Sequence, residues 1–511
     1  MLTSVVADQV RLADEASVTR TDDKCVVVFR HGRVAFGSRD MALGAVLVAL
    51  EAGSVTHADL EETALASGGD AVSVLARLDW LLARLHGALV HSVTVDGREV
   101  ARVVPLTGDG RYRPAPPPPG PVALSRLAFL RRRGADAVLE SGRAAYRVEL
   151  CAPEAVGVAA ALTRPVDVAS LTADLGLDVH LVARLVAAFA ATDMTDAGDA
   201  GTDQWGFHEM LFHSRSRLGR HDEPFGATFP FLGERDPLPA EYPAREGPAV
   251  ALPRVSLEAV ARRDPPLVMA QEARRSVRHY GAEPLTLGQL GEFLYRVGRV
   301  RAVYGPAVGM PYEALDRPYP TGGAAGDVEI YVTAHRVAGL DRAAYHYDAV
   351  AHRLVEVCAE PALLDALLSG AAVSTGGTPA PDVLLTFTSR FGRMTWKYDG
   401  MAYAATLKHV GVLYQTCYLV ATAMRLAPCG LGSGDAHLSA RVLGLDWATE
   451  SSVGEFQLGS LPAPAPGGAG AAGVGRPHWR GHNDPDWATR AASALEREAG
   501  QAGRSDGYSG E

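Results

Sequence analysis

Two adjacent residues, Lys397 and Tyr398, place an ammonium beside a phenol in the stretch "RFGRMTWKYDGMAYAATLKHVG". A pair of this kind can act as an acid/base dyad that removes a proton from a substrate carbon held within hydrogen-bond reach. Free lysine and tyrosine titrate at about pH 10, so the surroundings must favour the basic form of one of them. The alternative is a lysine whose stem lies on the tyrosine ring while its charge stays in water.

A second group of polar residues suits a phosphate. It consists of Arg274, Arg275, Ser276 and Arg278 in "QEARRSVRHYG". Guanidinium groups donate paired hydrogen bonds to phosphate oxygens, and we expect the group at the start of a helix or in the turn before it, where free N–H groups add to the site. Thr286 then caps an amphipathic helix with leucines at helical spacing. This pattern predicts a phosphate clamp, with a solvated surface helix as the alternative.

Two glycine-rich loops follow. In "YPTGG", Gly322 and Gly323 would let the backbone approach a flat ring closely, and Thr321 offers a hydroxyl. "CGLGSGD", from Cys429 to Asp435, contains more glycine than an ordinary helix C-cap needs. No GxGxxG follows a predicted strand, so a nicotinamide-binding Rossmann half is not indicated.

Together these motifs resemble the nitroreductase-like flavoprotein superfamily and, within it, the SagB-type thiazole/oxazole (azoline) dehydrogenases. The resemblance rests on "ARRSVRHYGAEPLTLGQLGEFLYR", "RPYPTGGAAGDVEIYV", "WKYDGMAYAATLKHVGVLYQTCYLVATAMRLAPCGLGSGD" and "ESSVGEFQLGS", in this order from Leu267 to Ser460. It implies an α+β fold with a mixed sheet flanked by helices and FMN bound between two protomers. The long helix from Ala402 to Leu426, apolar on nearly every face, would form much of the homodimer contact.

The resemblance also implies roles for single residues. Lys397 and Tyr398 would be catalytic, without a decision as to which is the base. Thr321 stands where the family usually has serine, and Gly326 where a bulkier residue is common. The implied cofactor-binding residues are Arg274, Arg275, Ser276, Arg278, Pro320, Thr321, Gly322, Gly323, Gln415, Gly430, Leu431 and Gly432.

The implied reaction is oxidation of thiazoline or oxazoline rings to azoles in a ribosomally synthesised peptide. The substrate would be an azoline-containing precursor peptide, and a cyclodehydratase complex would be the partner. FMN would take a hydride from the ring, while the dyad removes the proton. The alternatives are an NAD(P)H-dependent nitroreductase or quinone reductase, and a non-catalytic assembly scaffold.

Composition breaks divide the 511 residues into segments. Residues 1–112 and 122–200 repeat one plan of hairpins and capped helices, which we interpret as two winged-helix-like units. Their candidate recognition helices lack clustered Lys or Arg, so we expect peptide clamps rather than DNA readers, with plain packing modules as the alternative. The remaining segments are a Pro-rich linker (113–121), a connecting segment (201–262), the FMN domain (263–461) and a disordered tail (462–511).

The net charge of −10 argues against nucleic-acid binding. No secretory signal and no apolar run of about 20 residues occur, so no membrane is implicated and we expect a cytoplasmic protein. Five scattered cysteines suggest neither a disulfide framework nor zinc. His208, His213 and His221 lack metal-ligand spacing, so no metal is expected. The neighbouring arginines, Arg215, Arg217 and Arg220, suit a domain interface or an acidic leader peptide.

Overall fold

The computed structural model describes residues 5–108, 110–113, 115–196, 201–463 and 486–505. These residues form two compact units, one extending to Phe225 and the other beginning at Gly226. The boundary lies inside the segment 201–262 that we expected to connect the two halves. The first part of that segment therefore belongs to the first unit and the rest to the second.

The first unit combines antiparallel strands with short helices. Its strands are β1 (Val6–Leu12), β2 (Ser17–Arg20), β3 (Lys24–Phe29), β4 (Gly32–Gly37), β5 (Val55–Thr56), β6 (Leu89–Val95), β7 (Arg98–Pro105), β8 (Ala128–Arg133), β9 (Asp136–Ser141) and β10 (Tyr146–Leu150). Its helices are α1 (Met41–Ala52), α2 (His57–Ala66), α3 (Ala71–Leu85), α4 (Pro153–Ala161), α5 (Val168–Leu175), α6 (Val179–Ala191) and α7 (Phe207–Arg215). The predicted hairpins β3–β4, β6–β7 and β9–β10 are all present. Thr56 and Asp59 form a reciprocal cap at the start of α2.

One sheet runs through both halves of the first unit. Its order is β5-β1-β6-β7-β10-β9-β8, and β7 pairs with β10 from Ala101↔Leu150 to Pro105↔Tyr146. The prediction of two separate small units is wrong in this respect, because strands on either side of the Pro-rich segment 113–121 join one ladder. Each half keeps its own apolar core, one around Leu47 and Leu78 and the other around Leu185.

The second unit also mixes strands and helices. Its strands are β11 (Ala249–Ala251), β12 (Leu285–Thr286), β13 (Ala302–Tyr304), β14 (Ala314–Asp316), β15 (Val328–Ala334), β16 (Val337–Ala338), β17 (Ala344–Asp348), β18 (Arg353–Cys358), β19 (Val383–Arg390), β20 (Leu426–Gly430) and β21 (Glu450–Ser460). Its helices are α8 (Leu257–Arg263), α9 (Leu267–Ala273), α10 (Leu287–Gly298), α11 (Pro361–Val373), α12 (Phe391–Thr395), α13 (Ala402–Ala423), α14 (Ala436–Leu443) and α15 (Trp487–Ser505).

The main sheet of this unit has the order β11-β18-β17-β15-β19-β21-β20. All six of its pairings are antiparallel, so the α+β class is confirmed but the expected mixed sheet is wrong. Alternation along β15 separates its two faces. Val328 and Ile330 share a core with α10 and α13, whereas Tyr331 packs with residues of α11 and α14. The sheet therefore lies between two helical layers.

Helix α13 ends earlier than the predicted Leu426. Its last helical residue is Ala423, since the chain turns at Arg425, where φ is +59°, and β20 begins at the next residue. Within this chain the apolar faces of α13 are only partly covered. Leu413 is buried, whereas Tyr403, Leu407 and Val412 are exposed.

The tail 462–511, expected to be disordered, contains a helix in its described part. This helix, α15, packs against α9, and the carbonyl of Leu495 accepts a hydrogen bond from Arg425. Residues 464–485 and 506–511 of the tail expected to be disordered lie outside the described residues. Among the helices that are described, none has both the length and the apolar character needed to cross a membrane.

Candidate active site

Lys397 and Tyr398 occupy the turn between α12 and α13. The N–H groups of both residues donate to the carbonyl of Met394, at 3.1 and 2.9 Å. A short bridge also fixes the turn, because Gly226 and Asp399 exchange backbone hydrogen bonds of 3.1 and 3.0 Å. Backbone hydrogen bonds before and after the dyad therefore fix its position.

The Lys397 side chain is buried, and the residue is 6% exposed. Its Nζ donates to the hydroxyl of Tyr312 and lies 4.3 Å from the ring centroid of Tyr312 and 5.0 Å from that of Tyr398. Within the described ranges no carboxylate forms an ion pair with it. A phenol oxygen and two aromatic rings therefore surround Nζ of Lys397, which argues against a lysine whose end group stays in water.

Tyr312 is a site residue that sequence reasoning missed. It lies between β13 and β14, is buried, and packs against Trp396 and Phe229. Its hydroxyl donates to the carbonyl of Gly323 at 2.9 Å, so the oxygen lone pairs face Lys397. No sequence pattern connects Tyr312 with Lys397, which lies 85 positions further along the chain.

Residue usage gives an independent signal for Lys397. Lysine and arginine total 49, and only Lys24, Lys397 and Lys408 are lysine. Lys24 and Lys408 are exposed, whereas Lys397 is buried. Lys397 is therefore a candidate base, because an amine can release its proton where a guanidinium cannot.

The loop from Thr321 to Gly323 lies against this amine. Gly323 has φ of +58°, and a Cβ there would overlap Nζ of Lys397, so both conformation and space require glycine. Thr321 contributes to the loop itself, since its hydroxyl accepts the N–H of Gly326 at 3.0 Å. Pro320 precedes it at the surface. The predicted ring-binding loop and the dyad are therefore neighbours.

A buried pair of residues, His409 and Asp327, supports the same loop. The N–H of Gly322 donates to Nε2 of His409 at 2.7 Å, and Nδ1 of His409 lies 2.7 Å from Oδ1 of Asp327. Thr406 and Ser389 donate to the other Asp327 oxygen at 2.8 and 2.9 Å. Burial disfavours the carboxylate, but the hydrogen bonds from these residues hold the pKa of Asp327 below its ordinary value.

Sequence reasoning missed Asp327 and His409 as well. A signal was present in each case, because a carboxylate opens the apolar run "GDVEIYV" and a histidine interrupts the buried side of α13. Buried polar residues need hydrogen-bond partners, and Asp327 and His409 are partners of each other.

The predicted phosphate clamp forms a second cluster, around Tyr418 of α13. The Tyr418 hydroxyl lies 2.7 Å from Oγ of Ser276 and accepts the N–H of Gly430 at 2.8 Å. Arg274 lies over the Tyr418 ring, 5.2 Å from its centroid. The arginine segment and the second glycine loop are therefore brought together.

The clamp differs from the prediction in its backbone. Helix α9 ends at Ala273, Arg274 is its C-cap, and α10 begins only at Leu287. The expected helix N-terminus is thus absent from the clamp, which lies in a non-helical segment. Arg275 and Arg278 are exposed in that segment.

The remaining predicted residues lie along α13 and the second glycine loop. Leu431 is buried, and its N–H donates to the carbonyl of Glu455 at 2.9 Å, while Gly432 is exposed with open space where a Cβ would stand. Gln415 lies on the exposed side of α13. His409 and Tyr418 are nine positions apart, about 14 Å at the rise of an α-helix. Helix α13 therefore separates His409, beside the first glycine loop, from the phosphate clamp around Tyr418.

Several of the histidines and arginines around α7 have structural partners within the first unit. His213 stacks on Trp205 with ring centroids 5.5 Å apart, and His221 contacts the carbonyl of Arg217 at 2.9 Å. Arg220 donates to the carbonyl of Arg143 at 2.6 Å. In the part of the chain that the structure describes, no group of three or more His, Cys, Asp and Glu side chains is arranged to hold a metal ion.

Comparison with known proteins agrees with the motifs. Residues 272–459 match the model of the nitroreductase family, and residues 122–222 match that of the cyanobactin oxidase ThcOx. A putative nitroreductase of Methanocaldococcus jannaschii is 28% identical over 160 residues, which are 31% of this chain and 75% of the relative.

Solved structures with similar chains include a putative nitroreductase from Ralstonia eutropha JMP134, with 19% identity, a TM-score of 0.35, and coverage of 47% of this chain and 100% of the other. Another is the E. coli microcin synthetase McbBCD complex with truncated pro-MccB17 bound, with 18% identity, a TM-score of 0.31, and coverage of 49% and 86%. The family matches confirm the resemblance: residues 272–459 are similar to the nitroreductase family, and the first unit contains a segment similar to the cyanobactin oxidase ThcOx.

Proposed function

We propose that this protein is an FMN-dependent dehydrogenase that oxidises thiazoline or oxazoline rings of a ribosomally synthesised peptide to thiazoles or oxazoles. The observation that carries the proposal is the buried amine of Lys397, held by Tyr312 against the Gly323 backbone in a nitroreductase-family domain. The match of the first unit to a cyanobactin oxidase model supports a peptide as substrate.

The residues present fit FMN in the chemistry of their donors. The segment 274–278 offers exposed guanidinium groups and the Ser276 hydroxyl to a phosphate. At the other end of α13, the Gly322–Gly323 backbone carries no side chain that would keep a flat ring from Lys397. When bound, FMN would supply the acceptor for the hydride that leaves the azoline ring.

The protein's own residues must take the accompanying proton. The proton on the ring carbon is acidified by the neighbouring carbonyl and imine, and a positioned base completes its removal. We assign this role to the Lys397–Tyr398 dyad. Tyr312 orients the amine, because its hydroxyl proton is already donated to Gly323 and its oxygen faces Nζ.

The proposal extends to partners. The shared sheet of the first unit would hold the precursor peptide and the cyclodehydratase that forms the rings. The exposed apolar side chains of Tyr403, Leu407 and Val412 on α13 would meet a second copy of the chain, since such a row on a long helix is typical of an interface. Size-exclusion chromatography with light scattering tests the dimer, and a monomer at micromolar concentration would contradict it.

The test of the activity is incubation with an azoline-containing peptide followed by mass spectrometry. We expect a loss of two hydrogens per ring, and a fall in rate of at least about 100-fold in Lys397→Met, the usual contribution of a positioned base. The variant should keep its flavin absorbance. Lys408→Met is the matched control, because it removes an exposed lysine of α13 and should stay active.

Other outcomes separate the alternatives. Rapid NAD(P)H oxidation without a mass change in the peptide would favour a nitroreductase or quinone reductase, in line with the M. jannaschii relative. A protein that takes up no flavin on reconstitution would favour a scaffold. Full turnover by Lys397→Met would remove the dyad from the mechanism.

A further inference from the structure

Two successive residues of the glycine loop are held by different networks. The N–H of Gly322 donates to His409, and the carbonyl of Gly323 accepts from Tyr312. One network ends at the buried carboxylate of Asp327, and the other ends at the amine of Lys397. The loop backbone therefore joins these two networks.

The direction of these hydrogen bonds fixes the tautomer of His409. A backbone N–H can only donate, so Nε2 of His409 must be the acceptor and carry no proton. The proton then resides on Nδ1 and is donated to Asp327, which is fully buried and also accepts from Thr406 and Ser389. A carboxylate with this set of donors holds the imidazole in one tautomer and one orientation.

Movement of the loop would be transmitted to the amine. The Tyr312 hydroxyl follows the Gly323 carbonyl to which it donates, and Lys397 donates to that same hydroxyl. Gly322 and Gly323 cannot hold the loop by themselves, because glycine has the widest conformational freedom of all residues. The acceptor that His409 offers to the Gly322 N–H restricts the loop at this residue, in addition to the hydrogen bonds of Tyr312 and Thr321.

We propose that His409, oriented by Asp327, is a positioning residue that fixes the Gly322–Gly323 backbone and thereby places Tyr312 and Lys397 for proton removal. This inference rests on the proposed function for its effect on turnover. The hydrogen-bond geometry from Asp327 to Gly322 stands independently of it. His409 touches neither Lys397 nor Tyr312 through its own hydrogen bonds, so it acts through the loop.

Two amide substitutions separate positioning from simple core packing. The side-chain oxygen of glutamine reaches the place of Nε2, so His409→Gln keeps an acceptor for Gly322 and loses the donor to Asp327. The side-chain nitrogen of asparagine reaches the place of Nδ1, so His409→Asn keeps the donor to Asp327 and loses the acceptor for Gly322. Each variant thus retains one of the two hydrogen bonds that His409 forms.

We expect His409→Asn to lower kcat about tenfold or more with KM nearly unchanged, the factor that one hydrogen bond of ordinary strength supplies. His409→Gln should retain most of kcat even if it melts at a lower temperature. Equal kcat in the two variants, or a loss that follows melting temperature alone, would overturn the proposal, because both results indicate a role in packing only.

A measurement without substrate keeps this inference separate from the proposed function. In protein labelled with ¹⁵N-histidine, the His409 signal, assigned by its disappearance in His409→Gln, should show a protonated Nδ1 and an unprotonated Nε2. The opposite tautomer would overturn the proposal whatever the reaction is. If the tautomer is as expected and no azoline peptide is oxidised, the proposed function fails while the hydrogen-bond path remains. In that case the visible circular dichroism of bound flavin should change in His409→Asn and not in His409→Gln. No change in either variant would overturn the positioning role of His409.

Discussion

Asp327 and Glu329 are two residues apart at the start of β15, and they are 0% and 2% exposed. Their acidities nevertheless move in opposite directions. The pKa of Asp327 is held below its ordinary value, whereas burial raises the pKa of Glu329 to about 7 although Arg317 and Arg390 oppose the rise. Depth alone therefore does not decide the charge of a buried carboxyl group.

The difference lies in the donors that each carboxyl group receives. Asp327 accepts three side-chain hydrogen bonds of 2.7 to 2.9 Å. Glu329 accepts one long hydrogen bond of 3.5 Å from Arg317, and Arg390 stays 3.7 Å from its other oxygen, which has no hydrogen-bond partner among the described residues. Short, directed donors stabilise a buried carboxylate, and charges nearby without that geometry compensate only part of the loss of water.

The surroundings of Glu329 extend this contrast. A cavity of about 220 Å³ adjoins it, lined also by Arg245 and His346. Burial and the nearby arginines lower the pKa of His346 to about 3, so the imidazole is neutral near neutral pH. The polar groups around Glu329 line a cavity, whereas those around Asp327 form hydrogen bonds to its carboxylate.

The most severe test of the contrast is Asp327→Asn. The amide leaves His409, Thr406 and Ser389 with one acceptor oxygen instead of a carboxylate, so we expect the free energy of unfolding at pH 7.5 to fall by about 3 kcal/mol. Because folding lowers the pKa of Asp327, its contribution is present above about pH 4 and is lost as the pH falls further. The deficit of the variant should therefore shrink in acid. Urea unfolding at several pH values measures this, and an unchanged stability at pH 7.5 would remove the difference between the two carboxyl groups.

Glu329→Gln tests the other side, through its pH dependence. Folding raises the pKa of Glu329, so the wild-type protein should lose stability as the pH rises from about 4.5 to about 7, and the variant should not. We expect the stability of Glu329→Gln relative to wild type to increase by about 2 kcal/mol between pH 5 and pH 8. The measurement is the same urea titration. Parallel pH profiles would show that Glu329 is charged throughout.

The smallest effect should come from a matched pair of threonines. Thr406 and Thr386 are both buried, but the hydroxyl of Thr406 donates to Asp327, while that of Thr386 has no partner among the described residues. Thr406→Val should lower the free energy of unfolding by about 1 kcal/mol, the net value of one hydrogen bond. Thr386→Val should leave stability unchanged or raise it, and equal losses in the pair would contradict the role given to the Asp327 network.

Sequence reasoning named the parts of the candidate site that are adjacent in the chain. Lys397 and Tyr398 are neighbours, and the arginine segment and both glycine loops are short motifs. Tyr312, Asp327 and His409 were missed because only tertiary packing brings them to the loop. A sequence pattern reports local geometry and does not report which distant hydroxyl will reach an amine.

The errors in the fold have the same origin. Hairpins and capped helices were correct because turn residues and caps act locally. The pairing of β7 with β10 and the direction of each strand in the main sheet depend on how the chain returns after intervening segments. The arginine segment follows the end of α9 and is not part of the first turn of α10, and this position was likewise decided by packing.

The scarcity of lysine makes Lys397 chemically addressable. A reagent that acylates amines will meet exposed side chains at Lys24 and Lys408, and one buried amine at Lys397. Acylation of Lys397 would therefore appear as a slow, separate event in a peptide map with few other side-chain adducts. The rate of that event would report how often the amine becomes accessible, and a molecule occupying the space beside Gly323 would be detected by the protection that it gives.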